Sequence, residues 1–149
     1  MKVGACLMFS TLGPDTFREL TKAWENIDNY AHVNLFTDMH NIGDILLQEY
    51  FLDPVVDAEY IYVHYSNILS LLESLKIQGV KNINKKRRTG LMGKEAFKQF
   101  KQNFAPYSHT KFQLTYEVIY GQAWKGTQRR TVSSTETVIA VEDLLKSRK

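Results

Sequence analysis

The chain lacks several features that mark broad classes of protein. Its 149 residues include a single cysteine, Cys6, which excludes an internal disulfide framework and suits a reducing compartment, so we expect a cytoplasmic location. No stretch approaches the roughly 20 uncharged apolar residues that span a bilayer, so no membrane segment is predicted. The net charge is only +3, which does not call for a nucleic-acid partner.

Motifs of self-contained catalysis are also missing. The sequence contains no glycine-rich dinucleotide fingerprint, no phosphate-binding loop, no nucleophile elbow and no zinc-binding histidine pair. Its four histidines are scattered without metal-ligand spacing. The sequence therefore predicts no metal site, no cofactor-binding residues and no complete set of catalytic residues.

The residues that are present are sufficient for a folded core. Hydrophobic residues make up 44% of the chain and aromatic residues 12%. Their periodicity predicts the order strand, helix, helix, strand, helix, helix, strand, which is an α/β arrangement with about three strands and four to five helices. The predicted strands cover residues 3–10, 55–65 and 112–124, and the predicted helices cover residues 15–28, 38–50, 68–78 and 94–104.

Local signals refine these elements. The first predicted strand is apolar on both sides, as central parallel strands are. Thr16 and Glu19 have capping-box spacing at the start of the first helix, and an Asp53-Pro54 pair is expected to end the second. Trp24 and Trp124 are expected in the core. Residues 1–125 are predicted to form one domain, and residues 126–149 an extension that is either a short helix or loosely attached.

A basic segment separates the last two predicted helices. Residues 81–88 hold five of the 19 lysines and arginines of the chain. A solvated loop is one interpretation of such a segment, and a surface for an acidic protein or a phosphate group is the other.

Four segments of the chain carry a family resemblance in their order and spacing. They are KVGACLMFSTLGPDT at 2–16 with Glu19 and Leu20, then His32, Asn34 and Phe36, then Leu71, Leu72, Ser74–Lys76, Gly79 and RTGLMGK at 88–94, and finally LTYEVIYG at 114–121 with Ala123 and Trp124. Together they resemble the malonyl-[acyl-carrier protein] O-methyltransferase of biotin synthesis, a family of class I S-adenosylmethionine-dependent methyltransferases. In the first segment, Val3 and Ala5 depart from the proline and glycine that the family usually has.

The resemblance covers only the C-terminal half of the enzymes in that family. It implies a truncated Rossmann-like methyltransferase fold that contains strands five, six and seven, with the antiparallel last strand between the other two. The complete enzyme would use S-adenosylmethionine, but the strands that carry the cofactor are not matched here. We therefore expect no cofactor to bind this chain alone, and a separate N-terminal half becomes a possible partner.

The resemblance also implies a reaction and candidate residues. The family transfers a methyl group to the free carboxylate of a malonyl thioester. Phe9, Ser10 and Thr11, at the end of the first strand, are candidates for the wall of the acceptor pocket, with ordinary strand packing as the equal alternative. Candidates for binding the acyl-carrier protein or its phosphate are Arg87, Arg88 and Lys94, of which Arg88 is preferred.

Two further hypotheses concern what the chain does and what it binds. A module that binds an acidic carrier or partner without catalysis is the main alternative to a methyltransferase fragment that is inactive alone. A basic nucleic-acid binder is disfavoured by the modest charge and by the lack of a known binding motif. Because residues 3–9 would form a bare apolar strand edge, we also expect a homo-oligomer that covers this strand.

Overall fold

The computed structural model describes residues 1–108 and 111–127. The predicted order of elements is confirmed in this part of the chain, and the predicted terminal helix within 126–149 lies beyond the described residues. The elements are β1 (Cys6–Leu12), α1 (Arg18–Trp24), α2 (Met39–Gln48), β2 (Phe51–Tyr65), α3 (Ile68–Ile77), α4 (Lys94–Asn103) and β3 (Phe112–Lys125).

The three strands form one antiparallel sheet in the order β1, β3, β2. The last strand therefore lies between the other two, as the resemblance predicted. This arrangement of sheet and helices confirms an α/β class consistent with a truncated methyltransferase fold. Among the described residues β1 pairs only with β3 and lies at the edge of the sheet, which is the bare strand edge that the sequence predicted.

The main core lies between the first half of β3 and helices α1, α3 and α4. Phe100 and Leu114 are completely buried at its centre. Burying a side chain of this size stabilises a fold by about 1.5–3 kcal/mol, so these contacts hold the helices on the sheet. The buried members of this core are Phe17, Leu20, Ala23, Ile68, Leu71, Leu75, Phe100, Phe104 and Leu114.

A second layer forms on the other face of the sheet. Phe9 is opposite Gly121 and Thr11 is opposite Ile119, so these pairs share a face that β-strand alternation separates from Leu114. The ring of Phe9 lies directly over Gly121, where a Cβ atom would come within 2.1 Å of the ring. Only glycine, which has no side chain, leaves room for the Phe9 ring to lie across β3.

The start of α1 differs from the predicted capping box. The helix begins at Arg18, after Phe17 in a left-handed conformation with φ of 62°, and no side chain caps it. The Thr16 hydroxyl donates instead to the Glu117 carbonyl at 3.1 Å, and the Glu19 carboxylate accepts from the Thr115 N–H at 3.0 Å. Both polar side chains thus tie α1 to β3, and the helix is shorter than predicted at both ends.

The connection from α2 to β2 also corrects the sequence analysis. α2 ends at Gln48 and β2 begins at Phe51, so Asp53 and Pro54 do not end the helix. They lie where the pairing of β2 with β3 shifts register, between Leu52 and Val55. A bulge accommodates proline, which cannot donate a ladder hydrogen bond.

Short polar side chains cap two of the other helices. Asp38 caps α2 by accepting from the His40 N–H at 2.8 Å, and Asn67 caps α3 by accepting from the Ser70 N–H at 2.8 Å. Gly79 follows α3 with φ of 72°, a left-handed conformation that glycine adopts without strain.

One face of the sheet carries exposed apolar side chains at the end that holds the last residues of β3. We call Met8, Val55, Tyr120 and Trp124 the open sheet face. Met8 is 74% exposed and Trp124 is 44% exposed, so the prediction that Trp124 is a core residue is wrong. Trp24, by contrast, is half-buried against the main core.

The described residues lack two further kinds of feature. No helix in residues 1–108 and 111–127 combines the length and apolar character required to cross a membrane. The same residues contain no group of three or more histidine, cysteine, aspartate or glutamate side chains placed to hold a metal ion.

Candidate functional site

A concave site lies between α1, α3 and the segment 80–92. Its volume is about 650 Å³. Leu20, Trp24, Leu72 and Leu75 contribute apolar wall. The lining also includes four basic side chains and, among the described residues, no acidic one; the basic residues are Lys76, Lys81, Arg87 and Arg88. We call this site the basic cleft.

Two asparagines fix one wall of the basic cleft. The Asn34 side chain donates to the Lys81 carbonyl and accepts from the Ile83 N–H, both at 2.9 Å. Asn82 donates to the Ala31 carbonyl at 2.5 Å. These bonds hold the basic segment against residues 31–34, so its backbone is anchored there although most of its side chains are exposed.

Arg88 reaches the interior of this wall. Its guanidinium lies 5.1 Å from the centre of the Tyr30 ring, and its Nη1 is 4.0 Å from Oδ2 of Asp28. The side chain of Arg88 is 30% exposed and that of Asp28 is 14% exposed. Arg88 is therefore a partly buried cation held by an aromatic face and a carboxylate.

Asp28 is also bonded to His32. The two side chains are 2.7 Å apart, and the His32 ring stacks on Trp24 at 3.8 Å between ring centres. Burial alone would raise the pKa of Asp28, but hydrogen bonds from His32 and from the Tyr30 N–H, with the charges of His32 and Arg88, lower that pKa below its ordinary value. Asp28 is thus ionised at neutral pH and balances Arg88.

The three predicted carrier-binding residues are only partly brought together. Arg87 and Arg88 both line the basic cleft, and the Arg87 guanidinium donates to the Asn84 carbonyl at 3.2 Å. Lys94 is the exposed first residue of α4 and does not line the cleft.

The three predicted acceptor-pocket residues divide between the two faces of the sheet. Phe9 and Thr11 line a groove of about 440 Å³ against α2, with Leu46 on its far side. Ser10 is opposite Tyr120 and therefore points to the open sheet face. The three side chains therefore do not share one face of β1.

Neither Asp28 nor His32 was among the site residues predicted from the sequence. The contact between Asp28 and His32 forms in an irregular segment, where the spacing of residues does not predict which side chains meet. The contact of Asp28 with Arg88 joins residues 60 positions apart, and no local pattern signals it.

Comparison with known proteins gives a consistent result. No protein-family model matches the chain. A curated protein of Legionella pneumophila, named malonyl-[acyl-carrier protein] O-methyltransferase, is 55% identical over 148 residues, which are 98% of this chain and 52% of the relative. A protein of the same name from Gallionella capsiferriformans is 44% identical over 130 residues, or 87% of the chain and 45% of the relative.

A third relative extends the same pattern. The malonyl-[acyl-carrier protein] O-methyltransferase 1 of Coxiella burnetii is 38% identical over 151 residues, covering 98% of this chain and 52% of its own length. The chain thus spans about half the length of the curated relatives it matches. The resemblance seen in the four segments is confirmed: this chain is a homologue of the malonyl-[acyl-carrier protein] O-methyltransferases and corresponds to about half of such an enzyme, consistent with the C-terminal half.

Proposed function

We propose that this chain forms the acceptor-side half of a methyltransferase that methylates the free carboxylate of malonyl-[acyl-carrier protein] for biotin synthesis in the cytoplasm. The observation that carries the proposal is identity of 55% over 98% of the chain with a relative of that name. The chain is inactive alone, since the other half of the fold would supply the S-adenosylmethionine site.

The proposed reaction makes modest demands on these residues. A carboxylate is its own nucleophile, so the chain need not provide a strong general base. It must orient the carboxylate and shield it from water, while S-adenosylmethionine supplies the methyl group. Apolar walls beside fixed positive charges, as in the basic cleft, suit that task.

A separate polypeptide that supplies the other half is the partner we propose for β1 and the open sheet face. β1 has a free edge among the described residues, and Met8 and Trp124 expose apolar surface next to it. Proteins seldom leave a strand edge and an apolar face uncovered together. Where the other half is missing, a second copy of this chain covers the same surface.

The isolated chain is therefore expected to dimerise at high concentration. Met8→Lys should raise the dimer dissociation constant at least about tenfold, because a charge would replace apolar surface at the contact. Sedimentation velocity over a concentration series measures this. Leu69→Lys, which changes an exposed leucine of α3, is the matched control and should leave the constant unchanged. A strictly monomeric chain at high concentration would contradict the proposal.

Carrier binding is proposed to use Arg88, with Arg87 and Lys94 as outer contacts. Acyl-carrier protein should bind more weakly as salt increases, and Arg88→Glu should remove the binding. Because Arg88→Glu places a second carboxylate beside Asp28, Arg87→Glu provides a variant without that neighbour and should weaken binding about tenfold.

Lys2→Glu, at the exposed N-terminus, makes the same charge change outside the basic segment and serves as the control. Affinity is measured by surface plasmon resonance at two salt concentrations, and folding of each variant by thermal unfolding. Unchanged carrier affinity in both folded arginine variants would rule out this assignment.

A non-catalytic module that binds an acidic carrier is the second candidate function. The observation that favours it is the set of four basic side chains in the cleft, which would attract an acidic protein whether or not methyl transfer occurs. Carrier binding without methyl transfer, even after the other half is added, would support this alternative.

A further inference from the structure

We propose that Asp28 and His32 are positioning residues that make anion binding by Arg88 depend on a proton held at His32. While His32 is neutral, the Asp28 carboxylate balances the Arg88 guanidinium. When His32 is protonated, it balances Asp28 instead, and Arg88 becomes available to an oxyanion. The inference follows from the contacts of these three side chains. It bears on the proposed function because Arg88 is the residue proposed there to bind the carrier.

The hydrogen bonds of Asp28 fall on one of its two carboxylate oxygens. Oδ1 accepts from His32 Nε2 at 2.7 Å and from the Tyr30 N–H at 3.0 Å. Oδ2 lies 4.0 Å from Arg88 Nη1, which is too far for a hydrogen bond. Both of these atoms are buried, and neither has a hydrogen-bond partner among the described residues. The guanidinium is thus attracted by the charge of Asp28 but keeps a donor that an oxyanion could use.

The charge of this cluster changes when His32 takes up a proton from solvent. Histidine ordinarily changes charge between about pH 5 and 8. Asp28 keeps its charge in this range: burial raises its pKa, but hydrogen bonds from His32 and Tyr30 lower that pKa below its ordinary value. The charges of Asp28 and Arg88 therefore cancel while His32 is neutral, and protonation of His32 adds one positive charge. Anion affinity at Arg88 should rise as the pH falls through the titration of His32.

Stacking on Trp24 holds the His32 ring in place in both protonation states. The two rings are parallel within 4°, with 3.8 Å between their centres. The other face of Trp24 stacks on the buried ring of Phe100 at 4.6 Å. An indole face also attracts a cation, so protonated His32 remains stable there. Proton uptake thus changes the charge beside Asp28 without moving the ring away from it.

The other charged and titratable groups around His32 are exposed. His32 lines the basic cleft and a neighbouring cavity of about 460 Å³. From α4, Phe100 reaches Trp24 and carries no charge. Exposed charges are screened by salt, so the partly buried Asp28 and Arg88 dominate the field at His32. The exposed charged or titratable residues that line these two cavities are Glu25, Tyr30, Lys76, Lys81, Lys86 and Arg87.

Sulfate is a suitable probe because it stays a dianion over the range in which histidine titrates. The isotope-labelled chain is titrated with sodium sulfate at constant ionic strength, at about pH 5.5 and at about pH 8. Binding is followed by the NMR shifts of the Tyr30 and Arg88 backbone amides. We expect sulfate to bind at least about fivefold more tightly at the lower pH, which is the low end of typical coupling between two sites. Arg88→Gln should remove the binding at both pH values.

Two variants separate the proton from the carboxylate. His32→Gln keeps a side chain that can donate to Asp28 but cannot take up a proton, so its sulfate affinity should be the same at both pH values. Asp28→Asn removes the competing charge, so it should bind sulfate at the higher pH as tightly as the unmodified chain does at the lower one. His40→Gln, which changes an exposed histidine of α2, is the matched control and should keep the full pH dependence. Thermal unfolding verifies that each variant is folded.

Several results would overturn the inference. They are equal affinity of the unmodified chain at the two pH values, no shift of either amide, pH dependence that persists in His32→Gln, and sulfate binding that survives Arg88→Gln. Because the titration uses the chain alone and no carrier, it is separable from the proposed function. The expected sulfate result, together with carrier affinity that is unchanged in the arginine variants, would keep this inference and refute the carrier assignment. Carrier binding that needs Arg88 but is independent of pH, with equal sulfate affinity at both pH values, would do the reverse.

Discussion

Calorimetric titration of the isolated chain with S-adenosylmethionine or S-adenosylhomocysteine is expected to give no heat of binding at micromolar concentrations. In Rossmann-like sheets, glycine-rich turns let the backbone approach a nucleotide and open a helix toward it. This sequence contains no such turn: its most closely spaced glycines, Gly90 and Gly93, precede α4 and do not directly follow a strand.

The complete Legionella pneumophila relative, titrated under the same conditions, is the positive control. Its binding would show that the assay detects the family interaction. Micromolar binding of either ligand by the isolated chain would mean that a cofactor site exists within the matched half. It would refute the proposal that the other half supplies the S-adenosylmethionine site.

Features set by neighbouring residues could be predicted from the sequence. Asn67 caps α3 and Gly79 follows it in the left-handed conformation because each acts on backbone within a few positions. The order of the elements was predictable for the same reason, since apolar periodicity reports local geometry. The position of β3 between β1 and β2 came from the resemblance and not from periodicity.

Features set by distant contacts could not be predicted in this way. Thr16 and Glu19 have the spacing of a capping box, but their hydrogen bonds go to β3, 101 and 96 positions away. A hydrogen-bond partner so far along the chain cannot be recognised from the spacing of neighbouring residues. The same holds for the candidate site. Arg88 was predicted as a site residue, but Asp28, whose carboxylate lies beside the Arg88 guanidinium, was not.

The division of Phe9, Ser10 and Thr11 shows how the sheet limits the acceptor-pocket hypothesis. The Phe9 ring lies over Gly121, and Thr11 lines the groove beside α2. Ser10 points to the open sheet face. A polypeptide docked on the open sheet face would contact Ser10 directly. Ser10 is therefore the one of the three that an added half could bring to a shared acceptor pocket.

Adding the other half of the methyltransferase fold is expected to have the largest effect on activity. We predict that the portion of the Legionella pneumophila relative that this chain does not match, expressed separately, docks on β1 and the open sheet face. Because 55% of the residues in the shared half are identical, we expect this chain to present a docking surface similar to that of the relative. The cofactor and the acceptor site would then adjoin, and proximity would allow transfer.

Met8→Lys supplies the structural test of that docking. Met8 is 74% exposed in the isolated chain, so the substitution should spare the fold while placing a charge in the contact. We expect methyl transfer by the mixture to fall at least about tenfold. Leu69→Lys, on α3, should retain the activity of the unmodified mixture.

The most direct measurement is transfer of a radioactive methyl group from S-adenosylmethionine to malonyl-[acyl-carrier protein] by each half alone and by the two halves mixed. We expect transfer only in the mixture, with Met8→Lys reducing it. Transfer by this chain alone, or none by the mixture when the complete relative is active in the same assay, would contradict it.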